Sequence, residues 1–142
     1  MGKILQRVND MKTKRVSLKV RVPERFMEQL SKRFSYESAS VVSYGSDVFK
    51  KIDIPCPLCQ EYQAFGCKKC PFYKFKKLKD DEKIIFGCNR WLKKVLNLKS
   101  IGDLPFRFFP GSGISWSMEK DEEVKKCLNL LREKAKELIK WI

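Results

Sequence analysis

Between residues 15 and 22 apolar and polar side chains alternate without a break. Val16, Leu18, Val20 and Val22 fall on one side, and Arg15, Ser17, Lys19 and Arg21 on the other. A period of two is that of a half-buried strand. Pro23 ends the ladder, because it has no N–H to donate, and it suits the first turn of a helix. Phe26, Met27, Leu30 and Phe34 then recur at helical spacing, which predicts an amphipathic helix over 23–34. Over 38–52 two readings compete equally. Ser38 or Ser40 can cap a helix with Val41, Val42, Val48, Phe49 and Ile52 as its apolar positions, but Gly45 sits in its middle. Val41, Val42, Tyr44 and Phe49 suit strands as well.

Further along, Asp80-Asp81 marks a turn, and Trp91, Leu92, Val95 and Leu96 predict a short helix over 89–98. Phe106 to Phe109 reads as a short apolar strand, closed by the loop signal Pro110-Gly111-Ser112-Gly113. The most strongly patterned element comes last. Ser115 or Ser117 can cap a helix whose start is crowded by Glu119, Asp121, Glu122 and Glu123 and whose end carries Lys134, Lys136 and Lys140, as the helix dipole favours. Val124, Leu128, Leu131, Ala135, Leu138 and Ile142 form one stripe. The stripe suits docking on the chain's own core; a helix–helix seam in a homodimer is the alternative, and about three heptads are too few to demand a coiled coil. No repeat of solenoid period is present.

These elements predict an α+β fold, a small sheet with about four helices, in a single domain over 1–142. Its parts are a strand-helix segment at 1–54, a cysteine module at 55–88, and a helix, short strand and C-terminal amphipathic helix at 89–142. An apolar fraction of 43%, with 10 Phe and 3 Trp, is enough for a core.

The charge changes the picture. Thirty-one Lys and Arg against 17 Asp and Glu leave a net charge of +14. Residues 1–54 carry twice as many basic as acidic side chains, residues 55–100 nearly three times as many, and residues 101–142 almost equal numbers. Such a surplus favours polyanions, and a surface for them is expected on the first two thirds. The plainer alternative is a solvated surface that confers solubility. No run of about 20 apolar residues could span a bilayer, and no leader pattern opens the chain. Residue 6 is Gln where a myristoylation signal wants Ser or Thr. An intracellular, cytoplasmic protein is expected, with reduced thiols, so its 6 Cys point to metal and not to disulfides.

Cys56-Pro-Leu-Cys59 and Cys67-Lys-Lys-Cys70 repeat one C-x-x-C spacing, with residues 60–66 between them. Each such turn puts two sulfurs on one side of a tight loop, and two turns complete a tetrahedral site, so Zn2+ held by Cys56, Cys59, Cys67 and Cys70 is expected. Lys68 and Lys69 favour the thiolate form. The spacer is short, so one pair could recruit a sulfur from elsewhere, and Cys88 is the obvious alternative ligand. An iron–sulfur cluster, which also takes four thiolates, is the alternative cofactor. Cys127 beside the apolar stripe reads as a small buried residue. With no histidine in the chain, Ser-His and Cys-His pairs and imidazole acid–base steps are excluded. Walker and dinucleotide fingerprints are missing too, and Asp80, Asp81 and Glu82 read as a solvated turn. No catalytic constellation emerges, and a non-enzyme is expected.

Cys56-Pro-Leu-Cys59-Gln-Glu-Tyr62, then Cys67-Lys-Lys-Cys70-Pro71, then Gly87-Cys88, resembles a group of small phage and prophage proteins in which C-x-L-C-x-x-Y precedes C-x-x-C-P and a later Gly-Cys. Ile114-Ser115-Trp116 before an acidic-to-basic helix also looks like members of that group. The resemblance implies a mobile-element context and that Cys88 belongs with the site; it implies no activity. Leu18-Lys19-Val20-Arg21-Val22-Pro23 followed by a helix is similar to the opening of ribbon-helix-helix repressors. That resemblance implies base contacts from Ser17, Lys19 and Arg21 and phosphate at the next helix start. The turn at Tyr36-Glu37-Ser38 departs from it by lacking glycine, and a strand and helix packed within one α+β domain is the simpler alternative.

The functional expectation is a small intracellular zinc-stabilised basic protein that binds nucleic acid, regulatory and, on the resemblance, phage-encoded. Its basic face would comprise Arg15, Lys19, Arg21, Lys68, Lys69, Lys74, Lys76, Lys77 and Lys79. Phe72, Tyr73 and Phe75 would stack on bases, or else alternate between core and solvent. The alternative is a phage protein-inhibitor or adaptor of the anti-defence type, docking onto a host protein or nucleoprotein complex. No membrane partner is expected.

Overall fold

In the computed structural model, which describes residues 17–62, 68–77, 86–108 and 112–142, the opening alternation becomes a strand only at β1 (Val20–Val22). Val20 and Val22 are buried and Arg21 between them is exposed. The strand is shorter than its pattern because its partner is short. β1 pairs in parallel with β6 (Ile139–Trp141), in the register Val20 to Ile139, Arg21 to Lys140 and Val22 to Trp141. Backbone bonds extend the ladder, from the Glu24 N–H to the Ile142 carbonyl at 2.8 Å and from the Ile142 N–H to the Val22 carbonyl at 2.9 Å. Residues 15 and 16 lie outside the described residues.

Pro23 starts a 3-10 turn at Glu24–Phe26, which runs into α1 (Met27–Arg33). Residues 38–52 take the strand alternative. β2 (Ser40–Tyr44) and β3 (Asp47–Ile52) form an antiparallel hairpin pairing Ser40 with Lys51 through to Tyr44 with Asp47. Gly45, at φ +65°, takes the first position of its two-residue loop, where glycine is favoured because the backbone must turn left-handed. A ribbon-helix-helix chain would have its second helix here; the hairpin takes its place.

α2 (Pro57–Tyr62) follows the first cysteine, and a 3-10 helix spans Pro71–Lys77. α3 (Gly87–Val95) covers most of the predicted 89–98 helix. It stops in a left-handed cap: Asn97 has φ 53°, its N–H donates to the Lys94 carbonyl at 3.2 Å, and the Leu98 N–H donates to that of Lys93 at 3.0 Å. β4 (Arg107–Phe108) and β5 (Ile114–Ser117) complete an antiparallel sheet in the order β2-β3-β5-β4. Ser115 therefore lies in a strand. Ser117 leads into a 3-10 turn at Met118–Lys120 without a side-chain capping bond, and α4 begins only at Asp121 and ends at Leu138.

The α+β class is as expected, with two sheets in place of one and four α-helices among the described residues. One core joins both halves. Val20, Val22, Leu58, Phe72, Phe75 and Trp91 pack with Ile52, Ile114, Trp116, Val124, Leu128 and Leu131. The stripe of α4 is thus docked on the chain's own interior over Val124, Leu128 and Leu131, while Ile142 lies beyond the helix and is exposed. No described helix is long and apolar enough to cross a membrane.

Candidate functional site

The segment leading into the first cysteine is held by side chains of α1. Arg33, only 1% exposed, donates Nε–H to the Ile54 carbonyl at 3.1 Å and Nη2–H to the Ser112 carbonyl at 3.0 Å. Gln29 donates to the Pro55 carbonyl at 3.0 Å. The Arg33 guanidinium also lies over the Phe108 and Phe34 rings, at 4.7 and 5.1 Å from their centroids. Sequence reasoning missed this residue as anything but surface charge. The signal was its place three residues after Leu30 and seven after Phe26, on the buried side of the helix.

Cys56, Cys59, Cys70 and Cys88 line one cavity of about 390 Å³. Three segments deliver them. Cys56 accepts at its carbonyl from the Gln60 N–H as α2 begins, and Cys59 lies within that helix. Cys70 opens the 3-10 helix, its carbonyl accepting from the Tyr73 N–H at 2.9 Å. Cys88 sits in the first turn of α3. Gly87 makes that position reachable, since a Cβ there would run into the backbone carbonyl of Phe72. The rest of the wall is largely apolar and includes Leu30, Leu58, Phe72, Trp91 and Leu131. None of these cysteines is in a disulfide.

Cys88 and Arg33 both respond to the neighbouring thiols. Burial, and then the charges of Cys56 and Cys70, push the Cys88 thiol up to about 12, against a smaller opposing pull from Arg33. Burial lowers the Arg33 guanidinium from its usual value, and Cys56, Cys88 and Cys59 push it back up. Arginine keeps its proton in such settings, so a fixed positive charge stands beside these thiols and favours their thiolate form.

The expected zinc staple is not shown. Among the described residues no group of three or more Cys, Asp or Glu side chains is gathered so as to hold a metal ion. Cys67 lies outside the described residues. Cys88, an alternative ligand on sequence, lines the same cavity as Cys56, Cys59 and Cys70. Cys127 is partly buried against the core, and burial raises its thiol to about 11.

The basic face is assembled differently from expectation. Lys74 donates to the Lys19 carbonyl at 2.7 Å, joining the 3-10 helix to the residue that precedes β1. Arg21 and Lys140 are register partners on the solvent side of the β1–β6 ribbon. Among the described residues no carboxylate pairs with Lys19, Arg21, Lys74 or Lys140. Lys140 was not in the expected set, because it lies in the charge-balanced last third and parallel pairing across the whole chain leaves no local signal. Lys68, Lys69, Lys76 and Lys77 are exposed nearby in sequence, and Arg15 and Lys79 lie outside the described residues. Phe72 and Phe75 are buried and cannot stack on bases; Phe72 meets Trp91 edge-on at 5.0 Å. Tyr73 keeps part of its ring exposed, with Lys76 over it at 5.4 Å.

A polar network elsewhere was also invisible in sequence. Tyr36 donates its hydroxyl to Asp121 at 2.6 Å, and Lys50 donates to both Tyr36 and Asp121, at 2.6 and 3.2 Å. Hydrogen bonding to Tyr36, ahead of the Asp121 contact, holds the Lys50 ammonium above its usual value. The network ties β3 and β5 to the start of α4. Asp80, Asp81 and Glu82 lie outside the described residues.

No family model matches this chain, and neither a curated protein nor a solved structure does.

Proposed function

We propose that this is a basic nucleic-acid-binding protein, regulatory in role, whose cysteine segments are held together by a thiolate-bound metal. The observation that carries the first part is the ribbon face. Lys19, Arg21, Lys74 and Lys140 stand together on rigid, hydrogen-bonded backbone, with no carboxylate among the described residues to neutralise them. Such a strip releases counterions from a phosphate backbone and needs no base readout to bind. The metal part is supported by four cysteines lining one cavity beside a buried arginine.

Retention of duplex DNA, single-stranded DNA and RNA over a series of salt concentrations tests the first part. Affinity should fall steeply with salt, and each Glu substitution at Lys19, Arg21, Lys74 or Lys140 should flatten the slope by about one. No binding at low salt, or affinity indifferent to salt, rejects it.

A protein-docking role has one specific observation in its favour. The β2–β3 hairpin carries Tyr44 at 80% exposure and Val41 at 60%, and β2 is the edge strand of its sheet. An edge with apolar side chains suits strand addition by a partner. Replacing Val41 and Tyr44 by Lys should abolish recovery of such a partner from nuclease-treated extract without altering salt-dependent nucleic-acid retention.

A further inference from the structure

We infer that the mouth of the cysteine-lined cavity takes an unstacked base against the rings of Tyr73 and Trp141, so that the chain's substrate is single-stranded nucleic acid and not duplex. This rests on the nucleic-acid reading proposed above and specifies the form of the polymer and where a base goes.

Three observations converge. First, the mouth is defined by exposure. Among the residues that line the cavity, Leu58, Trp91 and Leu131 are buried. Lys76, Arg132 and Lys136 are exposed, and Tyr73 and Trp141 are half-buried. Rings and cations therefore stand where the cavity meets solvent. Buried Phe72 and Phe75 anchor the 3-10 helix on both sides of Tyr73, so its ring is held in place before a base arrives.

Second, the charge on this wall has one sign. Arg33, Lys76, Arg132 and Lys136 line the cavity, and no described Asp or Glu does. Arg132 also meets Glu37 at 3.9 Å, away from the wall. An apolar, aromatic hollow rimmed by cations is complementary to a nucleobase that carries its phosphate: the base offers a face to stack, and the phosphate a charge to neutralise. The cavity, about 390 Å³, falls within the roughly 300–1,000 Å³ of small-ligand pockets. A paired base keeps both faces inside the stack of its duplex, and only an unpaired one is free to enter.

Third, the mouth is continuous with the ribbon face. Ile139 and Trp141 of β6 line the cavity, and Lys140 between them is the register partner of Arg21. Lys74, next to Tyr73, donates to the Lys19 carbonyl. A single strand laid along the ribbon cations thus passes the cavity mouth, where one of its bases turns inward.

The test uses the full chain and three probes of equal length at one low salt concentration: a thymidine single strand, a strand of abasic sugar-phosphate, and a duplex. The single strand should bind about tenfold more tightly than either of the others, the scale of one base stacked on an aromatic ring. A 2-aminopurine placed in the single strand should lose fluorescence on binding. Tyr73→Ala should weaken single-strand binding by about tenfold and leave the abasic strand and the salt slope unchanged, and Tyr73→Phe should restore it. Where Tyr73→Ala fails to fold, the wild-type comparison of the thymidine and abasic strands decides. Equal affinity for all three probes, or tighter binding of the duplex, would overturn the inference while sparing the ribbon reading. Saturable binding of decanoate with no base-dependent binding of the strand would also overturn it, assigning the cavity to a free anionic ligand. No retention of any probe would overturn both the inference and the reading beneath it.

Discussion

The indole of Trp116 donates its N–H to the carboxylate of Asp121 at 3.0 Å, bridging the end of β5 to the first residue of α4. Tyr36 and Lys50 complete the carboxylate's partners. An aspartate at a helix start usually stabilises by meeting the exposed N–H groups and the dipole. Here the carboxylate also serves as the knot between a helix and two strands.

That knot gives stability a pH dependence. Hydrogen bonds from Tyr36, then Trp116, hold the Asp121 carboxyl below the usual aspartate range. A group depressed in the folded state stabilises fully above its unfolded value, near pH 3.9, and the stabilisation is lost as pH falls through the lower folded value. Asp121→Asn should lower the melting temperature at neutral pH by roughly 5 °C. The gap from the parent chain should narrow as pH falls below the unfolded aspartate value and close once it has passed the lower folded value, in thermal unfolding followed across the acid range. A gap that persists there would mean that the charge is not what stabilises.

Arg33 should resist conservative exchange. Arg33→Met leaves the carbonyls of Ile54 and Ser112 without this donor, at a cost of about 3 kcal/mol, read as a lower urea midpoint. Arg33→Lys should recover less than half of it, because one ammonium cannot reproduce a planar fork that serves two carbonyls and stacks between two rings.

Two glycines should answer alanine in opposite ways. At Gly87 the added methyl meets the Phe72 backbone, which cannot move without unseating the 3-10 helix behind Cys70, so Gly87→Ala should abolish metal loading and lower stability together. At Gly102 the nearest atom is the Ser100 hydroxyl at 3.5 Å, an ordinary contact, and Gly102→Ala should leave both unchanged.

On the ribbon, Lys140→Glu should weaken nucleic-acid retention as much as Arg21→Glu does, and each should reduce the salt slope by about one. A far smaller effect at Lys140 would confine the binding face to the first two thirds of the sequence.

Leu128 and Leu130 separate core from surface on α4. Leu128→Ala should cost about 3 kcal/mol, being wholly buried, whereas Leu130→Ala, at a site 42% exposed, should cost little. Urea unfolding of the two variants reads the difference.

Local patterns were legible in the sequence; relationships between distant segments were not. The spacing of Phe26 and Leu30, of Trp91, Leu92 and Val95, and of Val124, Leu128 and Leu131 placed three helices, because a helix must present one face to the core. Residues 38–52 stayed ambiguous because β-branched and aromatic residues serve both periods when the run is short. Gly45-Ser46 between two such runs was the overlooked clue to a hairpin. The cysteine spacing suggested thiolate ligation and offered Cys88 as an alternative ligand without choosing between it and Cys67. The fold places Cys88 on the wall shared with Cys56, Cys59 and Cys70, and Cys67 lies outside the described residues. Phe72 and Phe75 showed their aromatic character without showing which way they faced.

The parallel pairing of β1 with β6 has a kinetic consequence. Strands so far apart in sequence close a very long loop, an entropic penalty that must be met before any ladder bond forms. The ribbon should therefore zip up after the α-helices and the antiparallel sheet have condensed. During synthesis, Arg21 acquires Lys140 beside it only once residues 139–142 have left the ribosome, so a nascent chain lacks the assembled cationic strip until then.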